Sequence, residues 1–239
     1  MLSRPQNCSQ SVQAAQTRIA EACRSAGRNV HSVTLLAVSK GQSSAAIDCA
    51  ARAGIENFGE NFLQESLPKM EALVGRELTW HFIGRLQANK TRAVAENFAW
   101  VHAIDRLKIA ERLSDQRPFH ASALNVCLQL HVGGEASKGG VESAAIRELA
   151  GQVAALPRLR LRGIMSMPPA EQDVGRQREW FRETRQVFDY LNEHGFGLDT
   201  LSMGTSADFE AAIAEGSTLV RIGTAIFGPR DPSNAIMTA

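Results

Sequence analysis

The chain has 239 residues, 44% hydrophobic and 21% charged, with a formal net charge of +1, the composition of an ordinary globular protein. That balance excludes a broad cationic face for nucleic acid or an anionic membrane, and no run of about 18 apolar residues offers a membrane-spanning helix. The length fits two small domains or one α/β barrel of about 250 residues.

Met1 to Ser11 carries no apolar stretch of signal-peptide length. The four cysteines, Cys8, Cys23, Cys49 and Cys127, form no C-x-x-C pair and have no histidine at zinc spacing. Cys49, in a helical pattern, and Cys127, in a strand pattern, read as small buried apolar residues, and a reducing compartment is expected. A cytoplasmic protein without a metal centre is expected.

An N-terminal helix is predicted over about 9–26, where Val12, Ala15, Ile19, Ala22, Cys23 and Ala26 recur at helical spacing and Gly27 can end it. Strand and helix signals then alternate. Val33–Ser39 is followed by helix Ser43–Ala53, Ile55–Gly59 by Phe62–Leu73, Leu78–Ile83 by Gln87–Glu96, and Trp100–Ala103 by Arg106–Gln116. Asn125–His131 leads to Ser143–Leu156, Leu161–Ser166 to Val174–Glu193, and Thr200–Ser202 to Ala207–Glu215, with Leu219–Ile222 as the last strand. Eight strands separated by helices predict an α/β fold, a (β/α)8 TIM barrel over about 33–228. The N-terminal helix is extra to it, and 1–239 reads as a single domain with a short C-terminal tail. A doubly wound open sheet is the alternative. Its Gly-rich loop is missing, because the first strand runs into Lys40-Gly41-Gln42-Ser43-Ser44.

In such barrels the functional end is where strands finish. The first strand, Val33-Thr34-Leu35-Leu36-Ala37-Val38-Ser39, finishes in Lys40. Of the other lysines, Lys69 and Lys108 fall in helical stretches and Lys90 early in one, where a solvated face is the default, and Lys138 lies in a loop. Lys40 alone combines a buried approach with a strand end, a place that suits a nucleophilic amine or a satisfied buried ammonium. Barrel closure sets the last strand beside the first, so Arg221 shares the lumen end with Lys40. A neighbouring guanidinium makes lysine a poorer ammonium and a better nucleophile. Moving its pKa from about 10.4 to about 7 or 8 disfavours the charged form by roughly 4 kcal/mol.

The last two strands run into Gly204-Thr205-Ser206 and Gly223-Thr224-Ala225, each opening a helical segment. Backbone N–H groups at such turns bind anions, and the loops after strands seven and eight form a recurrent phosphate site in these barrels. Helix capping by Thr205 with Asp208 explains the first turn equally well. A phosphate-bearing aldehyde would suit amine and turns together. Asn61 reads either as a ligand contact or as a helix N-cap. His81, inside a strand, reads as a core histidine, Met165 and Met203 as lumen packing, and the other histidines carry little signal.

These same residues resemble a known family. Ala37-Val38-Ser39-Lys40, Phe58-Gly59-Glu60-Asn61, His81-Phe82-Ile83-Gly84, Leu86-Gln87-Ala88-Asn89-Lys90, Ser137-Lys138-Gly139-Gly140, Leu161-Arg162-Gly163-Ile164-Met165, Ser202-Met203-Gly204-Thr205-Ser206 and Val220-Arg221-Ile222-Gly223-Thr224-Ala225-Ile226-Phe227-Gly228 together resemble the pyridoxal phosphate homeostasis proteins. These are single-domain relatives of the alanine racemase barrel. The resemblance implies pyridoxal 5'-phosphate (PLP) held as a Schiff base on Lys40. It implies that Arg221 faces the pyridine nitrogen, that Ser206, Gly223 and Thr224 contact the phosphate, and that Asn61, His81 and Met203 line the pocket. It further implies a cytosolic, mostly monomeric protein of vitamin B6 balance, with apo PLP-dependent enzymes as possible acceptors and no established reaction. Gly41-Gln42-Ser43 stands where relatives often carry a second lysine and a proline, and Thr205 where methionine is common.

Racemisation needs a base on each face of the cofactor, and racemases of this barrel type take one from a tyrosine in a second domain. The only tyrosine here, Tyr190, falls in an amphipathic helical pattern. Arginine opposite the pyridine nitrogen disfavours ring protonation and weakens the electron sink. A cofactor binder with little turnover is expected. A weak PLP-dependent racemase and a cofactor-free Schiff-base aldolase are the alternatives.

Overall fold

The computed structural model describes residues 6–134 and 139–229. It opens with helix α1 (Gln6–Ser25), which ends at Gly27 with φ +66°, the left-handed turn that glycine adopts without strain. Strands and helices then alternate: β1 (Thr34–Val38), α2 (Ser44–Arg52), β2 (Asn57–Glu60), α3 (Leu63–Ala72), β3 (Thr79–Phe82), α4 (Thr91–Asn97), β4 (Trp100–Ile104) and α5 (Leu107–Gln116). The second half adds β5 (Leu124–Leu130), α6 (Ile146–Ala154), β6 (Leu159–Ser166), α7 (Val174–Glu193), β7 (Thr200–Thr205), α8 (Phe209–Ala214), β8 (Leu219–Ile222) and α9 (Thr224–Phe227). The eight strands are parallel and close in chain order into a barrel, as predicted. Closure pairs Leu36 of β1 with Arg221 of β8.

Strand alternation sorts the core into two layers. Ala37, Phe58, Phe82, Val101, Val126, Leu128, Ile164, Leu201, Val220 and Ile222 face outward and join the helices in one large apolar cluster. Their sequence neighbours face the lumen, where Ala103, Cys127, Met165 and Trp100 form a separate small cluster. Near the strand starts Arg162 is bonded to Asp199 at 2.8–3.0 Å and to Asn125 at 2.9 Å, and lies 4.7 Å above the Trp100 ring. α1 lies against α2, α8 and α9, tied by Arg18 to Glu210 at 2.5 Å.

The differences from the predicted elements are local. β7 extends three residues further, to Thr205. α6 begins only at Ile146, because Val141 is drawn into a parallel bridge with Leu130. The helix expected from Gln87 starts as a short 3-10 turn, Ala88–Lys90, before α4. α8 begins at Phe209 because Asp208 serves as its cap position. No helix among the described residues is long and apolar enough to cross a membrane.

Candidate functional site

β1 delivers Lys40 to the C-terminal mouth. Leu36 lies against lumen-facing Gly59, so alternation gives Leu36, Val38 and Lys40 the lumen side. Lys40 is half-buried in the turn after the strand, and Gly41 follows with φ +74°.

The residues on either side of Lys40 are both clamped. The Lys69 ammonium donates to the Ser39 carbonyl at 2.9 Å, to Glu60 Oε1 at 2.8 Å, and to Glu65. Ser39 Oγ donates to Glu60 Oε1 at 2.6 Å, and the Gly41 N–H donates to Glu65. This cluster overturns the solvated face expected for Lys69, which is only 7% exposed. Glu60 lies on the outward face of β2 with Phe58, so its carboxylate meets α3. A helical reading was available for this: Leu63, Ser66 and Lys69 recur at three-residue spacing and share the buried face. Burial raises the Glu60 pKa, with Lys69 pulling the other way. Glu60 Oε2 and Asn61 Oδ1 are buried without a hydrogen-bond partner among the described residues. Lys108 is exposed, as expected. Lys138 lies outside the described residues.

Arg221 is the second buried cation at this end, 5% exposed. Its Nη1 donates to the Ser202 carbonyl at 2.5 Å and the Ser202 hydroxyl at 2.8 Å, and its Nη2 to the Ser166 carbonyl at 2.8 Å. All three acceptors are neutral, and no carboxylate pairs with Arg221 among the described residues. Burial lowers its pKa to about 10, opposed by the more distant Asp208, so the guanidinium stays charged at neutral pH.

A line of hydrogen bonds leads away from Arg221 across the lumen. The Ser202 hydroxyl meets His102 Nδ1 at 2.8 Å, His102 Nε2 meets His81 Nδ1 at 2.9 Å, and His81 Nε2 meets Asn57 Oδ1 at 3.0 Å. The His81 ring stacks on Trp100, centroids 5.3 Å apart at 12°. Burial pushes His81 down to about 3 and His102 well below its usual value. His81 therefore has both nitrogens engaged, and His102 and Ser202 stand between it and Arg221. Sequence reading passed over His102. Its two-residue spacing from Trp100 on β4 was the signal that it shares the lumen face.

The turns after β7 and β8 meet as expected. The Gly223 N–H donates to Ser206 Oγ at 3.3 Å, and Thr224 opens α9 beside them. Gly204 has φ +94°, and a Cβ there would sit 2.7 Å from the Ala212 Cβ, so only glycine makes the turn. Asp208 Oδ1 accepts from the Thr205 N–H at 2.5 Å and from the Thr205 hydroxyl at 2.8 Å. Half of the capping reading thus forms, and it leaves Ser206 as the turn's hydroxyl beside Gly223. Met203 departs from the lumen packing expected of it. Ser202 reaches into the lumen, so Met203 faces outward and packs with Leu201 in the outer layer. Met165 does pack in the lumen. Tyr190 is 40% exposed on α7, its ring 4.3 Å from that of His194.

Residues 12–231 match the alanine racemase N-terminal domain family. The chain is 54% identical over 214 residues to the pyridoxal phosphate homeostasis protein of Pseudomonas aeruginosa, across 90% of this chain and 92% of that one. It is 51% identical over 219 residues to the protein of the same name from Escherichia coli K12, across 90% and 94%. Among solved structures, PipY of Synechococcus elongatus with PLP bound superposes with a TM-score of 0.78 at 36% identity, over 88% of this chain and 100% of that one.

Proposed function

This chain belongs to the family of pyridoxal phosphate homeostasis proteins, and on that premise we propose that it binds PLP as a Schiff base on Lys40 and serves intracellular PLP homeostasis. The observation that carries the reading is Arg221, a buried guanidinium held by neutral acceptors only, beside the strand that ends in Lys40. A buried cation without a counter-charge is costly, and a ligand that brings a lone pair and negative charge relieves that cost. PLP brings both, as a pyridine nitrogen and a phosphate.

The remaining residues fit the same group. Ser206 with the Gly223 N–H, and Thr224 beside them, offer donors for a phosphate. Asn61 Oδ1 is a buried acceptor left open. Bound PLP supplies an aldehyde carbon that an amine converts to an imine with loss of water. Lys40 presents that amine, and the Lys69–Glu60–Glu65 cluster fixes the backbone on both sides of it. Arg221 donates to the ring nitrogen and keeps it unprotonated, which weakens the electron sink that carbanion chemistry needs. His81 and His102 have no ring nitrogen left to take a proton from a substrate. The site is arranged to hold its cofactor, and the relatives are named for homeostasis. A cytoplasmic, monomeric carrier that passes PLP to apo-enzymes completes the proposal.

The test is a visible absorption spectrum of the protein mixed with PLP. A Schiff-base band is expected in the native chain and is lost in Lys40→Ala. A native chain that gains no band after reconstitution overturns the reading. Rapid deuterium exchange at the α-carbon of amino acids overturns the carrier assignment in favour of an enzyme.

A further inference from the structure

The hydrogen-bonded line from Asn57 to Arg221 spans five strands and is buried from His81 to Arg221, with Asn57 half-buried at its far end, yet holding PLP accounts only for its last member. Donor and acceptor rules allow it one arrangement of protons. From one end, Asn57 Oδ1 can only accept, so His81 Nε2 carries the hydrogen and His81 Nδ1 is an acceptor. His102 Nε2 must then donate to it, which leaves His102 Nδ1 as an acceptor. The only hydrogen within reach of that nitrogen is the one on the Ser202 hydroxyl. From the other end, Arg221 has donors alone, so Ser202 Oγ accepts from it, which leaves its own hydrogen available to His102. The Asn57 end sets the direction, and the Arg221 end is compatible with it. An extra proton on His81 Nδ1 would set donor against donor at His102 Nε2, and the low pKa values that burial imposes agree with two neutral rings.

We propose that His81 and His102 are positioning residues. As a neutral pair, each protonated on Nε2, they fix the Ser202 hydroxyl as an acceptor and so hold the Arg221 guanidinium in one plane for the ring nitrogen of a pyridine ligand. The inference rests on the proposed role of Arg221 toward PLP. Without His102 the Ser202 hydroxyl is free to rotate and turn its hydrogen toward the guanidinium, and Arg221 keeps only two carbonyls. The plain alternative is that the two histidines only fill the lumen beside Trp100.

Two experiments separate these. The first needs no cofactor: side-chain nitrogen NMR of the native protein labelled with 15N-histidine. Both rings are expected as the Nε2–H tautomer, with a coupling between His102 Nε2 and His81 Nδ1 across their shared hydrogen. An Nδ1–H tautomer at either ring, or a ring that titrates near pH 6.5, overturns the proposal. The second is PLP titration of His102→Phe, which keeps a ring without polar atoms, and His102→Gln, whose amide restores one donor and one acceptor. His102→Phe is expected to bind PLP at least about tenfold more weakly, the worth of one hydrogen bond to a charged group, with an altered absorption band. His102→Gln is expected to recover most of the loss. If His102→Phe does not fold, Ser202→Ala removes the same link and is expected to weaken PLP binding likewise. A folded His102→Phe or Ser202→Ala protein with native affinity and band overturns the proposal. A native chain that takes up no PLP overturns the functional reading instead, and the nitrogen spectra then decide the proton order.

Discussion

Two buried cations flank Lys40, and they are held in opposite ways. Lys69, on the β1–β2 side, is neutralised by Glu60 and Glu65 and bonded to the Ser39 carbonyl. Arg221, on the β7–β8 side, rests on two carbonyls and a hydroxyl that also meets a histidine. A compensated charge is a structural device, because its partners already satisfy it. One of similar depth whose hydrogen-bond partners are all neutral leaves electrostatic demand unmet and points toward a ligand. The contrast separates the residue that shapes the site from the residue that meets the ligand.

The largest effect on stability is expected from breaking the compensated pair. Lys69→Met leaves Glu60, fully buried, without its counter-charge, and about 3–5 kcal/mol of stability is expected to go, measured by urea unfolding. Arg221→Leu makes the opposite trade. It removes a charge held only by neutral acceptors, so a smaller loss of stability than that of Lys69→Met is expected, while PLP affinity falls at least about tenfold. Equal destabilisation by the two substitutions contradicts the comparison.

Acid sharpens it further, because the two sides respond with opposite sign. His81 and His102 have folded-state pKa values below those of the unfolded chain. Their contribution is intact above about pH 6.5 and is lost as pH falls toward the folded value, about 3 for His81. At pH 5 His81 alone costs about 2 kcal/mol, and His102 adds in the same direction. Glu60 has a raised pKa, so its contribution is full below the unfolded carboxylate value and declines as pH rises through the folded one. Melting temperature against pH should therefore fall below pH 6.5 in the native chain. The fall should flatten in a His81→Asn/His102→Gln double variant. A native profile that stays flat from pH 7 to 5 contradicts two neutral buried histidines.

Within the Lys69 cluster, the smaller expected effect is Ser39→Ala. It removes one buried hydrogen bond to a carboxylate that keeps Lys69, and about 1.5–3 kcal/mol is expected from urea unfolding. A loss as large as that of Lys69→Met would place the strength of the cluster in the hydroxyl rather than in the charge pair.

The barrel was legible in the sequence because its signal is repeated: apolar runs of strand length, each followed by a stretch at helical spacing. Lys40 and Arg221 were legible because a charge at a strand end stands out against such runs. The clamp around Lys40 was not. Lys69 looks like any helical lysine until β2 turns Glu60 outward toward α3, a matter of which face each strand residue takes. Met203 shows the same dependence, since a one-residue step from Ser202 carries it from lumen to outer layer. The histidine line was hidden for another reason. Its members lie 21 and 100 residues apart, so only barrel closure brings them together.

The most direct test of the account is where the cofactor attaches. The native protein is incubated with PLP, reduced with borohydride to fix any imine, digested and mapped by mass spectrometry. The account predicts the pyridoxyl mass on Lys40 and none on Lys69, although both amines serve the same strand end. Label on Lys69 in place of Lys40, or no label on either, contradicts it.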